Sequence, residues 1–233
     1  MAPISKQSKQ KKAPVVKSKL VKRRRLPRVL LVSIHRPIPS TKRKMLSLQL
    51  APESMERAQS ILSSGDTQEH GGALILDANG TMHLQETKTN ARGSDYINLP
   101  LDMFMWHTHP QKCEQKASCG LGMPSSSDIE RFIIDAMRSP CYAHLVFAHE
   151  GTYVLALKPS TRRLLAAKSA SEQAAYAKQI AERFADIQKR FQENFESVGY
   201  ERFRKEWMQF ANQQSIDVVF FGKSKLPRFK IAP

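Results

Sequence analysis

Trp106-His107-Thr108-His109-Pro110, followed by Pro124-Ser125-Ser126-Ser127-Asp128, is the stretch on which the reading of this chain turns. A strand is expected over 101–107, leading into the histidines. On a strand, residues i and i+2 project to one face, so His107 and His109 can converge while Trp106 and Thr108 face away. Two imidazoles on one face are half of a zinc site. A carboxylate makes the set two His plus one Asp and leaves the fourth tetrahedral position open, which is the catalytic rather than the structural arrangement. Asp128 is the candidate. It falls in the first turn of a helix expected over 125–137, where the helix dipole favours its ionised form. Taken alone, Ser125-x-x-Asp128 is close to an ordinary capping box, and His-x-His fits two surface histidines. Their conjunction points to a metal.

Working outward, Pro52-Glu53 opens an amphipathic helix to about Ser63, with Met55, Ala58, Ile61 and Leu62 on one face. Strands over 73–77 and 82–87 flank Asn79-Gly80, a strong hairpin signal. In the helix over 125–137, Ile129, Phe132, Ile133, Ala136 and Met137 recur at helical spacing, and Pro140 stops it. Strands over 142–148 and 152–157 flank Glu150-Gly151. The last third is helical. Ala177, Ile180, Phe184, Ile187, Phe191 and Val198 make one apolar stripe of a helix over 171–198, with Gly199 as its C′ residue. Tyr200, Phe203, Trp207 and Phe210 make another, and 216–221 is expected to be a closing strand. The aromatic stripes read as core. The fold class is therefore α/β: a mixed sheet flanked by helices.

Charge divides the chain. Of 37 Lys and Arg in 233 residues, 15 fall in residues 1–44, where there is no acid. The rest carries 22 basic against 21 acidic residues, a net of +1. Residues 1–44 are thus expected to be a disordered basic arm, densest at Lys22–Arg25. It would serve as a nuclear address or as a means of neutralising nucleic-acid phosphates. No apolar run is long enough for a membrane helix, and no signal-like segment follows the basic start. The three cysteines, Cys113, Cys119 and Cys141, include no C-x-x-C pair. The expected setting is intracellular and reducing, not secreted, with nuclear or nucleic-acid association suggested by the arm.

The motifs resemble those of the JAMM metalloproteases, also called the MPN+ or JAB domain. The family pattern is an early Glu, then H-[ST]-H-P, then S-x-x-D, and 107–110 and 125–128 match it without substitution. Glu69-His70-Gly71-Gly72-Ala73-Leu74 is similar to the E-x-x-G-x-L that often carries the early Glu. The resemblance covers about 50–160. It implies an MPN/JAB-like core over 45–160, followed by a helical extension with a closing strand over 161–221 and a basic tail over 222–233. It also implies one catalytic zinc on His107, His109 and Asp128, with Glu69 as general base and Glu86 as the fallback. Ser125 would donate a hydrogen bond to the oxyanion. The implied activity is hydrolysis of a peptide or isopeptide bond, with ubiquitin or a ubiquitin-like conjugate as substrate.

One departure stands out. The segment between His109 and Asp128, residues 110–127, is longer than is usual in the family. The extra residues fall within 111–123, where surface loops tolerate insertion at small entropic cost. Cys113 and Cys119 lie there. They read as ordinary reduced cysteines, with a second metal or a regulatory thiol as the alternative. Another zinc class, the nucleoside deaminases, requires H-x-E followed by P-C-x-x-C. Pro140-Cys141 is followed by His144 instead, and no H-x-E precedes it. The rival function is a non-catalytic or weakly catalytic scaffold, or a nucleic-acid-associated structural protein, acting through its basic arms. The C-terminal helices could offer a contact for a protein partner.

Overall fold

The computed structural model describes residues 45–65, 68–89, 99, 102–110, 122–138, 141–194 and 199–231, without the side chains of 86–89. The basic arm and its expected disorder lie outside these residues, as do Cys113, Cys119 and Val198. The elements in chain order are β1 (Leu46–Leu50), α1 (Pro52–Ser63), β2 (His70–Leu76), β3 (Thr81–Thr89) and β4 (Phe104–His109), then α2 (Ser126–Arg138), β5 (Ala143–Ala148) and β6 (Gly151–Leu157). The last are α3 (Pro159–Ala166), α4 (Ala170–Glu193), α5 (Tyr200–Gln213), β7 (Ile216–Gly222) and β8 (Arg228–Ile231). The strands form one mixed, curled sheet in the order β7-β6-β5-β4-β2-β3-β1-β8. Among the described strands, only β1/β3 and β4/β5 run parallel. The expected α/β class, a mixed sheet with flanking helices, is what the chain adopts.

β4 holds the centre, and its alternation sorts the two cores. Phe104 and Trp106 point to the side covered by α1, where they pack with Leu48, Leu50, Leu145, Phe147 and the Met55, Ala58, Ile61, Leu62 face of that helix. Met105 points the other way, into a core built with Val146, Leu155 and the apolar faces of α2, α4 and α5. Every residue of β4 is buried, as expected for a strand covered on both faces. The Trp106 indole N–H donates to the Ala73 and Gln85 carbonyls, so its polar atom is satisfied in the core. The β2–β3 hairpin turns through Ala78, Asn79 and Gly80. Gly80 donates to the Asp77 carbonyl at 3.2 Å and sits at φ +84°, the left-handed position that favours glycine.

Several elements differ from expectation. The central strand covers 104–109 rather than 101–107, because parallel pairing with β5 continues through His107 opposite Val146 to His109 opposite Ala148. Both histidines are therefore on the strand. Helix α3 opens the helical extension as a separate short helix, for which the sequence pattern gives no bounds. It starts at Pro159, and its Arg162 donates to the Ala136 and Cys141 carbonyls at the end of α2. Gly199, expected to close the preceding helix, instead caps the start of α5 at φ +70°. Arg228–Ile231, read as part of a basic tail, forms β8 and pairs antiparallel with β1. Ile231 there is buried while Arg228 and Lys230 are exposed, so the strand pattern is carried by few apolar residues among charges. Among the described residues, no helix is long and apolar enough to cross a membrane.

Candidate metal centre

His107 and His109 reach the α2 side of the sheet because they continue the Met105 face of β4. Thr108, on the opposite face, accepts the His70 backbone N–H at 2.9 Å, which ties the entry of β2 to the histidine strand. Beside them β2 comes close at Gly71, opposite His107. A Cβ at Gly71 would lie 2.7 Å from the Trp106 carbonyl oxygen and 3.1 Å from the His107 Cβ, so this approach requires glycine. Asp128 arrives from α2, whose start is fixed by Ser125. The Ser125 N–H and hydroxyl both donate to Asp128 Oδ2 at 2.7 Å, and the Asp128 N–H donates back to Ser125 Oγ at 3.2 Å. This reciprocal cap holds the carboxylate in one pose, with Oδ1 toward His107 and Oδ2 toward His109.

The result is a compact donor set. His107 Nε2 lies 3.0 Å from His109 Nε2 and 3.4 Å from Asp128 Oδ1, and His109 Nε2 lies 3.2 Å from Asp128 Oδ2. These three residues could hold a metal ion. Tetrahedral zinc with bonds of about 2.0–2.1 Å places neighbouring donors about 3.3 Å apart, and the measured separations bracket that value. The other ring nitrogens are also engaged. His109 Nδ1 is 3.2 Å from the Gly122 carbonyl, and His107 Nδ1 is 2.7 Å from His144 Nε2. Outer contacts of this kind orient imidazole ligands and set which nitrogen carries the proton. The donor chemistry, the spacing and the outer contacts all fit a divalent metal.

Electrostatics point the same way. Burial opposes charge on Asp128, but the adjacent imidazoles of His107 and His109 outweigh it and hold its carboxyl well below the ordinary range. Burial also works against a proton on His109. The hydrogen bond and charge of Asp128, with the charge of Glu69, overcome it and raise the His109 pKa. A carboxylate and two imidazoles this close call for positive charge among them, and a proton or a metal ion can supply it. His144 is different: burial, then the charge of His107, hold its pKa well below the ordinary value, so it stays neutral.

The remaining candidates fall as follows. Glu69 sits just before β2, with Oε1 3.9 Å from His109 Nε2 and its side chain only 15% exposed. Glu86 pairs with Gly72 through the β2–β3 ladder, and its side chain lies outside the described residues. Ser125 is at the centre, with its hydroxyl bonded to Asp128. Cys141 is buried, and its thiol is pushed up to about 12 by that burial, so it is an inert core residue. His144, whose Nε2 lies 2.7 Å from His107 Nδ1, stands beside this donor set although the motifs do not include it. Its sequence signal is a lone imidazole in the otherwise apolar strand Ala143–Ala148, two residues before Val146 on the same face. No known protein-family model matches the chain, and no curated protein matches it.

Proposed function

We propose that the chain is a zinc-dependent hydrolase of peptide or isopeptide bonds, of the JAMM type that its motifs resemble. The observation that supports this most is the convergence of His107 Nε2, His109 Nε2 and an Asp128 carboxylate oxygen, with Glu69 Oε1 3.9 Å from His109 Nε2. His107, His109 and Asp128 would hold the ion. Zinc on a two-His, one-Asp set supplies Lewis acidity and an acidified water.

The other roles belong to the protein's own groups. Glu69 takes a proton at its carboxylate from the attacking water and returns it to the departing amine nitrogen. With its side chain 15% exposed, Glu69 is largely shielded from bulk water that would compete for that proton. Ser125 donates to the developing oxyanion by turning its hydroxyl away from Asp128 Oδ2, which retains the Ser125 backbone N–H. The substrate proposed is a ubiquitin-like conjugate or a peptide.

The test is direct. Purified full-length protein should contain about one zinc, and the zinc-replete protein is screened against ubiquitin, ubiquitin-like and peptide substrates. Glu69→Gln should abolish cleavage and keep the zinc. Cleavage that survives in Glu69→Gln would remove Glu69 from the base role. Absence of zinc together with absence of cleavage would sink the hydrolase reading.

A further inference from the structure

A neutral imidazole has one N–H and one lone pair. For His107 to offer the Nε2 lone pair to an ion shared with His109 and Asp128, its proton must sit on Nδ1. The atom facing Nδ1 is His144 Nε2, 2.7 Å away. Most outer contacts to ligand histidines are carbonyls or carboxylates, as Gly122 is for His109. Here the acceptor is a second neutral histidine, and accepting forces its own proton onto Nδ1. That atom is buried and finds no hydrogen-bond partner among the described residues. His144 is held in place by β5, beside Phe132 of α2, with its ring steeply tilted to that of His107. An unmade buried hydrogen bond is costly, so a histidine here needs a gain elsewhere. The gain here is the orientation of His107.

From this we infer that His144 is a positioning residue for the metal centre: it accepts the His107 Nδ1–H and so locks the ring with Nε2 toward the ion. The inference rests on the metal-site reading, and it assigns a residue that the family-like motif does not include. It also specifies the loaded state atom by atom, with His107 protonated on Nδ1 and His144 protonated on Nδ1 and bare on Nε2.

The experiment uses full-length protein stripped of metal, with zinc and cobalt ions alone as probes. Zinc affinity and the cobalt absorption spectrum are compared for wild type, His144→Leu and His144→Gln, alongside the thermal stability of each metal-free protein. His144→Leu should weaken zinc about 10- to 100-fold and perturb the cobalt spectrum. His144→Gln keeps a carbonyl acceptor near the Nε2 position and should recover most of the affinity. Nitrogen-15 NMR of the zinc-loaded wild type should show the His144 proton on Nδ1. If wild type binds no zinc, the metal reading itself fails. If wild type binds zinc and both variants match it, or Leu and Gln weaken it equally, the metal reading stands and the role given to His144 is overturned. Should His144→Leu not fold, the Gln variant and the NMR tautomer decide, and a proton on His144 Nε2 in the loaded protein refutes the inference.

Discussion

Two helices of this protein begin with the same device. At α2, Ser125 and Asp128 exchange backbone and side-chain hydrogen bonds, and Ser125 Oγ lies 2.8 Å from Ser127 Oγ. At α4, Ser169 and Glu172 do likewise, with N–H and hydroxyl donating to Glu172 Oε2 at 2.8 and 2.7 Å, and Ser169 Oγ lies 3.1 Å from Ser171 Oγ. The difference is in the second oxygen of each acid. Glu172 Oε1 faces Lys168 at 3.6 Å, on a side chain 56% exposed. Asp128 Oδ1 faces His107 at 3.4 Å, on a side chain 20% exposed. One local motif thus serves as a plain helix cap in one place and as a cap plus candidate metal ligand in the other. The lesson is that a capping box and a ligand are compatible, because Asp128 Oδ2 takes the Ser125 donors and still lies 3.2 Å from His109 Nε2, while Oδ1 is left to face His107.

The sharpest way to break this comparison is to neutralise both acids. Asp128→Asn should lower zinc affinity by at least on the order of 100-fold, since a ligand is lost and not only an outer contact. Glu172→Gln should leave affinity unchanged. Calorimetric zinc titration of the two variants and wild type measures this, and equal behaviour would reduce Asp128 to a cap.

The serines give a smaller contrast. Ser125→Ala and Ser169→Ala each remove an N-cap and should cost about 1 kcal/mol in urea denaturation of the metal-free protein. Only Ser125→Ala should also weaken zinc, by roughly 10-fold, because Asp128 loses its hydroxyl donor. Zinc binding untouched by Ser125→Ala would show that the backbone N–H of residue 125 suffices to hold the carboxylate.

The smallest effect is in acid. Both acids have folded-state pKa values below the ordinary range, Asp128 because of His107 and His109 set against burial, Glu172 because of its bonds to Ser169. A depressed carboxyl contributes stability that is present above its unfolded value and lost as pH falls through the folded one. Stability of the metal-free protein should therefore drop below about pH 4. Asp128→Asn should flatten that drop more than Glu172→Gln, whose exposed carboxylate is screened by solvent. Denaturant melts between pH 7 and pH 3 provide the measurement, and equal flattening would contradict the stronger coupling at Asp128.

What could be read from the residues follows the range of the forces involved. The α1 face of Met55, Ala58, Ile61 and Leu62, the α2 face of Ile129, Phe132, Ile133 and Ala136, and the Asn79-Gly80 hairpin rest on interactions within a few positions. Each matches the structure. Elements stabilised by distant partners were harder to read. β8 exists because β1 offers an open edge far back in the chain, and its Arg and Lys positions disguise a short alternation. In α3, Arg162 finds its carbonyl acceptors on and after α2, 21 to 26 positions back. Gly199 reads as a helix end in the sequence because a left-handed glycine suits either side of a boundary.

The sequence by itself determined that His107 and His109 share a face wherever one strand runs through both, and that Asp128 occupies the first helical turn after Ser125, since alternation and capping are short-range rules. That the strand reaches His109 came from its pairing with β5. Only the tertiary structure decided that the two meet. That required the parallel pairing of β4 with β5, the close approach allowed by Gly71, and the packing of Ile129, Phe132 and Ile133 onto Met105 and Val146, which aims the start of α2 at the histidines. It also brought His144 to within 2.7 Å of His107. Neither contact has a local signature, because hydrogen-bond geometry across a sheet depends on which strands become neighbours, and non-local burial of apolar surface makes that choice.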